Sequence, residues 1–206
     1  MRPSKARLAG STMAVATAVI VSGCSLGGGD DSGSGDGAAA AAAAPADPAT
    51  EKALKDLPPA LATNLEEAGQ IIDEGRDALD AKLADLVGTP VVVNQWASWC
   101  EPCRAEFPFF GDAANLHQGE IAFLGIDMQD DRGAAETFLS EFPVPYPHIW
   151  DPDAAAIGSL GGGVVSPTTV YIDEAGEVTF VFQGSYASRD QLEADIEKNL
   201  PSTGKS

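Results

Sequence analysis

Val91-Val92-Val93-Asn94-Gln95-Trp96-Ala97-Ser98-Trp99-Cys100-Glu101-Pro102-Cys103-Arg104-Ala105-Glu106-Phe107-Pro108 is the stretch whose reading decides the fold. Its first six residues form a continuous apolar run of buried-strand length, and Cys103 to Leu116 carries a helical pattern in which Pro108 predicts a kink or an early break. The two cysteines therefore sit where a strand hands over to a helix, Cys100 just ahead of the helix and Cys103 in its first turn. Helix N-termini carry unpaired N–H groups and about half a positive charge, both of which stabilise a thiolate. Thiol–disulfide exchange needs one attacking thiolate and a second thiol close enough to resolve the mixed disulfide, and two intervening residues allow that. Cys100 is then the exposed nucleophile and Cys103 the more buried resolving thiol. Three other uses of the pair compete. A purely structural disulfide would close too short a loop to constrain the unfolded chain much. A zinc half-site would need two further ligands, and His117 and His148 show no finger-like spacing. The third is copper carriage.

Outward from this stretch, the chain reads β-α-β-α-(β-α)-β-β-α. Ile121–Met128 is a second buried strand, and Ala134 to Phe142 is a helix stopped by Pro143. Tyr146 to Trp150 is a short strand and Asp153 to Leu160 a short helix closed by three glycines. Thr168–Asp173 and Glu177–Gln183 form a hairpin across Glu174-Ala175-Gly176. Ser188 to Leu200 is a closing helix with Ser188 as N-cap and Gln191 completing a capping box. Such an order implies a mixed sheet with helices on both faces. Upstream, Ala53, Leu54, Leu57 and Leu61 suit a short helix interrupted by Pro58-Pro59. Leu65 to Ile72 is read as a strand, Ala78 to Val87 as a helix and Gly88-Thr89-Pro90 as a turn.

The first fifty residues cannot contribute to a core. Arg2, Lys5 and Arg7 followed by the apolar Leu8 to Val21 make an export signal too short for a confident membrane span. It ends in Val21-Ser22-Gly23-Cys24, which resembles the lipobox of bacterial lipoproteins. That resemblance implies a signal peptide over 1–23, acylation of Cys24 and a membrane anchor that takes the cysteine out of redox chemistry; an ordinary secretory signal is the alternative. Residues 24–50, rich in Gly, Ala and Pro, read as a flexible tether, and 51–206 as one domain. An exported location leaves the other two cysteines where disulfides persist. The chain has 31 Asp+Glu against 12 Lys+Arg, a net charge of −19. Nucleic acid and anionic lipid are repelled by such a surface, which favours solubility or basic partners.

The segment Trp96 to Pro108 is similar to the active-site segment of exported thioredoxin-like proteins of the TlpA/ResA/DsbE type. Val165-Ser166-Pro167-Thr168-Thr169-Val170-Tyr171-Ile172-Asp173-Glu174-Ala175-Gly176 resembles their proline loop and hairpin, so the likeness spans about 85–200. It implies an α/β thioredoxin-like fold with a strand–helix insertion near Tyr146–Leu160, and a cis peptide at Ser166–Pro167 that faces an extended substrate segment and keeps metals off the thiols. It implies a monomeric enzyme without cofactor or metal, working on cysteine-containing exported proteins such as apocytochrome c. Electrons would come from a membrane thiol–disulfide carrier at the outer face of the cytoplasmic membrane. Reduction of partners is the favoured direction and oxidation of exported proteins the alternative; a copper-delivery lipoprotein is the rival outside catalysis, against which the Cys-x2-Cys spacing argues.

Two positions depart from the thioredoxin pattern. Asn94 stands where thioredoxin has a buried Asp, and Asn cannot act as a base. Glu106 matches the helix glutamate beneath the site in ResA-like proteins, and a partly buried carboxylate there would have a raised pKa and relay the proton of Cys103. Gln95 replaces an apolar aromatic, with no functional account. Trp96 and Trp99 pack around the dithiol and form part of the partner-binding rim with Glu101, Pro102 and Ser166; plain core is the alternative for Trp96, and His148 and Trp150 are packing residues. Glu101 opposes thiolate formation at Cys100, and Arg104 offsets Glu101.

Overall fold

Six strands form one mixed sheet in the computed structural model, which describes residues 54–200. The elements are α1 (Pro59–Glu66), β1 (Ile71–Ile72), α2 (Gly75–Asp85), β2 (Val91–Trp96), α3 (Glu101–Leu116), β3 (Ala122–Met128), α4 (Arg132–Glu141), β4 (His148–Asp151), α5 (Ala155–Ser159), β5 (Thr168–Ile172), β6 (Val178–Gln183) and α6 (Arg189–Asn199). The sheet order is β1-β4-β3-β2-β5-β6. The pairs β1–β4, β4–β3 and β3–β2 are parallel, whereas β2–β5 and β5–β6 are antiparallel. This is the thioredoxin-like arrangement, with β4 and α5 falling in the Tyr146–Leu160 stretch. The signal segment, Cys24 and the tether lie outside the described residues. Among the described residues no helix is long and apolar enough to cross a membrane.

Alternation along the central strands divides two cores. Val92, Trp96 and Phe123 face α3, α4 and α6 with Phe107, Phe110, Phe138 and Leu192. Val91, Val93, Leu124 and Ile126 face the other side with Leu61, Leu79 and Ile157. All six residues of β2 are buried, as its apolar run requires. Because β5 runs antiparallel to β2, with Gln95 opposite Thr168, the end of β2 and the start of β5 lie at the same edge. The cysteines follow one and the proline loop precedes the other.

Several local expectations change. Leu65 to Ile72 is not one strand: its first two residues close α1, and only Ile71–Ile72 pair, with His148 and Ile149. Helical Leu54-Lys55 ends ahead of the Pro58-Pro59 pair, as an interruption requires, and Pro59 then occupies the first turn of α1, where a missing N–H costs nothing. Pro108 does not end α3, which continues to Leu116. An interior proline ordinarily costs about 3 kcal/mol. Phe107 and Phe110 on either side of it are fully buried, and their packing outweighs that cost. At α6, Ser188 Oγ accepts from Gln191 N as expected. Gln191 Oε1 accepts one residue before the cap, from Ala187 N at 3.0 Å.

Candidate active site

Cys100 is the N-cap of α3, in extended conformation, and its Sγ accepts from Cys103 N at 3.3 Å. A disulfide joins it to Cys103, with Cα atoms 5.3 Å apart. Cys100 is 4 % exposed and Cys103 fully buried. The order of exposure is the expected one, but Cys100 is not an open surface residue: it packs in the same core cluster as Trp96, Ala97 and Phe107. A partner sulfur must therefore approach along the rim. On that rim Trp99 is 59 % exposed and held by its indole Nε1, which donates to Gln129 O at 3.2 Å. Glu101 and Pro102 are exposed in the first turn of α3. Arg104 pairs through Nη1 with Glu141 Oε2 at 3.2 Å while its guanidinium lies over Phe138.

Glu106 lies three residues beyond Cys103 and so on the same face of α3. It is fully buried. Its Oε1 accepts from Asn94 Nδ2 at 3.1 Å and its Oε2 from Tyr186 N at 2.9 Å. Burial pushes its carboxyl up from 4.5 to about 7, and the two hydrogen bonds hold it partly back. Asn94 thus stands beside the Glu106 carboxyl and holds it in place.

The peptide Ser166–Pro167 is cis. Gln95, left without a role by the sequence, is fully buried, and its Nε2 donates to Ser166 Oγ at 2.8 Å and to Met128 Sδ at 3.4 Å. Trp96 is core: its Nε1 donates to His148 Nδ1 at 3.1 Å, and its ring stacks on Phe138. His148 is buried packing, with burial pushing its imidazole down to about 3, and it stays neutral. The other histidine, His117, pairs with Glu193 at 2.7 Å. Among the described residues no group of three or more His, Cys, Asp or Glu is placed to hold a metal ion.

Two carboxylates at this edge escape sequence reading. Asp130 accepts from both the backbone N and the Oγ of Ser98, which fastens the loop before Cys100 to the loop after β3. Asp127, opposite Trp96 in the register, is fully buried with neither carboxyl oxygen hydrogen-bonded. Burial, then the charge of Asp130, pushes it up from 3.8 to about 8. The apolar run around Asp127 concealed it; the Asp130-Asp131-Arg132 triplet was a visible helix-start signal, and Asp131 does cap α4.

A family model described as Redoxin matches residues 66–198. The chain belongs to the Redoxin family. This redoxin is 29% identical over 133 residues to the thiol-disulfide oxidoreductase ResA of Oceanobacillus iheyensis, covering 63% of this chain and 67% of that one. It is 37% identical over 118 residues to the thiol:disulfide interchange protein DsbE of Pseudomonas fluorescens, covering 54% and 62%. The crystal structure of a DsbF homologue from Corynebacterium diphtheriae superposes with a TM-score of 0.52 at 28% identity, over 56% of this chain and 75% of that one. The redoxin is a thiol–disulfide oxidoreductase with a thioredoxin-like fold.

Its buried carboxyls set an unusual stability profile. Glu106 and Asp127 both bind protons more tightly folded than unfolded, so the stability they contribute is lost as pH rises through about 7 and about 8, whereas buried neutral His148 costs stability as pH falls below its ordinary 6.5. The urea midpoint of the oxidised redoxin is expected to be higher at about pH 5.5 than at about pH 8.5. Asp127→Asn is expected to flatten the upper part of that decline. A midpoint that rises with pH would contradict these assignments.

Proposed function

We propose that this redoxin is a lipid-anchored, extracytoplasmic reductase of disulfides in exported proteins, apocytochrome c among them. The observation that carries the reading is a Cys100–Cys103 disulfide at the start of α3 with a buried Glu106 one turn beneath it. In the reduced protein the Cys100 thiolate attacks one sulfur of a partner disulfide. That S–S bond breaks, the partner's other sulfur leaves as thiolate, and a mixed disulfide to Cys100 remains. Glu106, poised near neutral pH, takes the proton of Cys103. The Cys103 sulfur then attacks Cys100 Sγ and expels the partner's first sulfur as the second thiolate. Two electrons pass to the partner, and the protein is left as the Cys100–Cys103 disulfide. A membrane dithiol carrier restores the dithiol by the same exchange and is itself oxidised.

Cis-Pro167 and Ser166 orient the partner segment, and Trp99, Glu101 and Pro102 form the surface that it meets. Residues 1–23 serve as signal peptide, Cys24 carries the lipid, 24–50 is the leash, and 51–206 works as a monomeric domain at the outer face of the cytoplasmic membrane. Support comes from the lipobox-like Val21-Ser22-Gly23-Cys24 and from the likeness to TlpA/ResA/DsbE-type proteins. Two acyl chains make such an anchor stable where one would be marginal.

Equilibration of Cys100/Cys103 with a thiol redox buffer tests the direction. A potential at or below about −270 mV is expected, and one near about −120 mV would overturn the reductase reading in favour of an oxidase.

A further inference from the structure

We propose that Gln95 is a positioning residue that makes the site selective for disulfides carried on a peptide segment over small free disulfides, by locking Ser166 in one orientation. The inference rests on the exchange reading above. Gln95 lies in the middle of the sheet, on the face of β2 shared with the buried Val91 and Val93, between Ile126 and Thr168 in the register. It is fully buried, yet its hydrogen bonding is poor as a contribution to stability. Its Oε1 has no partner. One amide bond goes to Met128 Sδ, a weak acceptor. The remaining bond, to Ser166 Oγ at 2.8 Å, is the good one. An apolar side chain of the same shape would fill the site without leaving a buried carbonyl unsatisfied. What the amide contributes therefore falls on Ser166.

Ser166 is the residue before the cis proline, and Gln95 grips the loop on both sides of that peptide: its side chain holds Ser166, and its backbone lies opposite Thr168 in the β2–β5 register. Ser166 is itself half-buried, with Val164 73 % and Val165 48 % exposed ahead of it. Because Ser166 Oγ accepts from Gln95, its own hydrogen is left to donate. A fixed donor beside a fixed backbone edge suits an extended segment, which brings carbonyls and N–H groups with its disulfide. A small disulfide brings no such backbone and gains little from the lock. The effect is preorganisation, so it appears in recognition of the partner and not in the sulfur chemistry.

The test compares wild type with Gln95→Met, which keeps size and loses the amide, in the reduced full chain. Initial rates are measured with insulin, whose disulfides are held on peptide, and with bis(2-hydroxyethyl) disulfide, which has no amide groups, alongside the urea midpoint. Gln95→Met is expected to lose about tenfold in kcat/KM on insulin, the loss of one hydrogen bond, and much less on bis(2-hydroxyethyl) disulfide, with a midpoint no lower than wild type. Ser166→Ala is expected to lose as much on insulin. The double variant is expected to lose no more than either single one, because the two residues act as one unit. Equal losses on both substrates, additive losses in the double variant, or wild-type insulin kinetics in Gln95→Met would overturn the inference. Should Gln95→Met not fold, wild-type insulin kinetics in Ser166→Ala would overturn it alone. A wild-type chain inert toward insulin would instead overturn the exchange reading beneath it.

Discussion

Cys103→Ser is expected to turn the protein from a turnover catalyst into a trap. With Cys100 intact, attack on a partner disulfide still proceeds, but nothing inside the protein can release the mixed disulfide. Turnover on insulin should fall at least about a hundredfold, as expected when a covalent mechanism loses one of its two reacting groups. A partner-linked species should accumulate on a non-reducing gel, sensitive to added dithiothreitol. The burial order supports the direction of this assignment, since Cys103 is closed to solvent while Cys100 retains a small exposed area. An adduct forming on Cys103 in the Cys100→Ser protein, and none in Cys103→Ser, would reverse the roles.

Glu106→Gln is the second large effect, and it should raise stability while it lowers activity. Glutamine preserves the bond from Tyr186 N. It can also satisfy Asn94, whose Oδ1 has no partner and can accept from the new amide once the Asn94 amide turns over. The variant should therefore fold. Above pH 7 the wild-type carboxyl is charged in a buried site. Lifting it from 4.5 to about 7 corresponds to roughly 3 kcal/mol of lost stability that glutamine removes. The gain should be full at about pH 8.5 and vanish below about pH 4.5, where folded and unfolded chains are both protonated. Activity should move the other way. A positioned base contributes about 100-fold or more, so resolution of the mixed disulfide should slow on that scale and lose its inflection near pH 7. A variant that gains stability with unchanged resolution kinetics would make Glu106 a buried carboxyl with no part in proton transfer.

These two residues also show why the site was legible in part. The Cys-x2-Cys pair at a strand-to-helix junction reads directly, because both the apolar run of β2 and the helical periodicity of α3 are local signals. Glu106 reads through its spacing from Cys103 and its place in the motif. Its burial depends on Tyr186, eighty residues later, and no local pattern carries that. Gln95 is the sharpest case: alone it is an oddity in a strand, and its meaning appears only when Ser166, 71 residues away, is folded against it. Asp127 is hidden for the opposite reason, since a carboxyl inside Ala122–Met128 looks like a minor interruption of an apolar strand. Upstream, Pro58-Pro59 reads locally as a breaker and does part helical Leu54-Lys55 from α1, with Pro59 also serving as the starter in the first turn of α1. At Pro108 the breaker rule failed because flanking phenylalanines are locked in the core. Long-range packing decided each of these points, and sequence spacing alone does not contain it.

The most direct test of the account is insulin disulfide reduction by the Cys100→Ser protein with dithiothreitol as electron donor. The account predicts a rate indistinguishable from dithiothreitol alone, with the fold and its urea midpoint retained. A rate like that of the wild-type protein would contradict it.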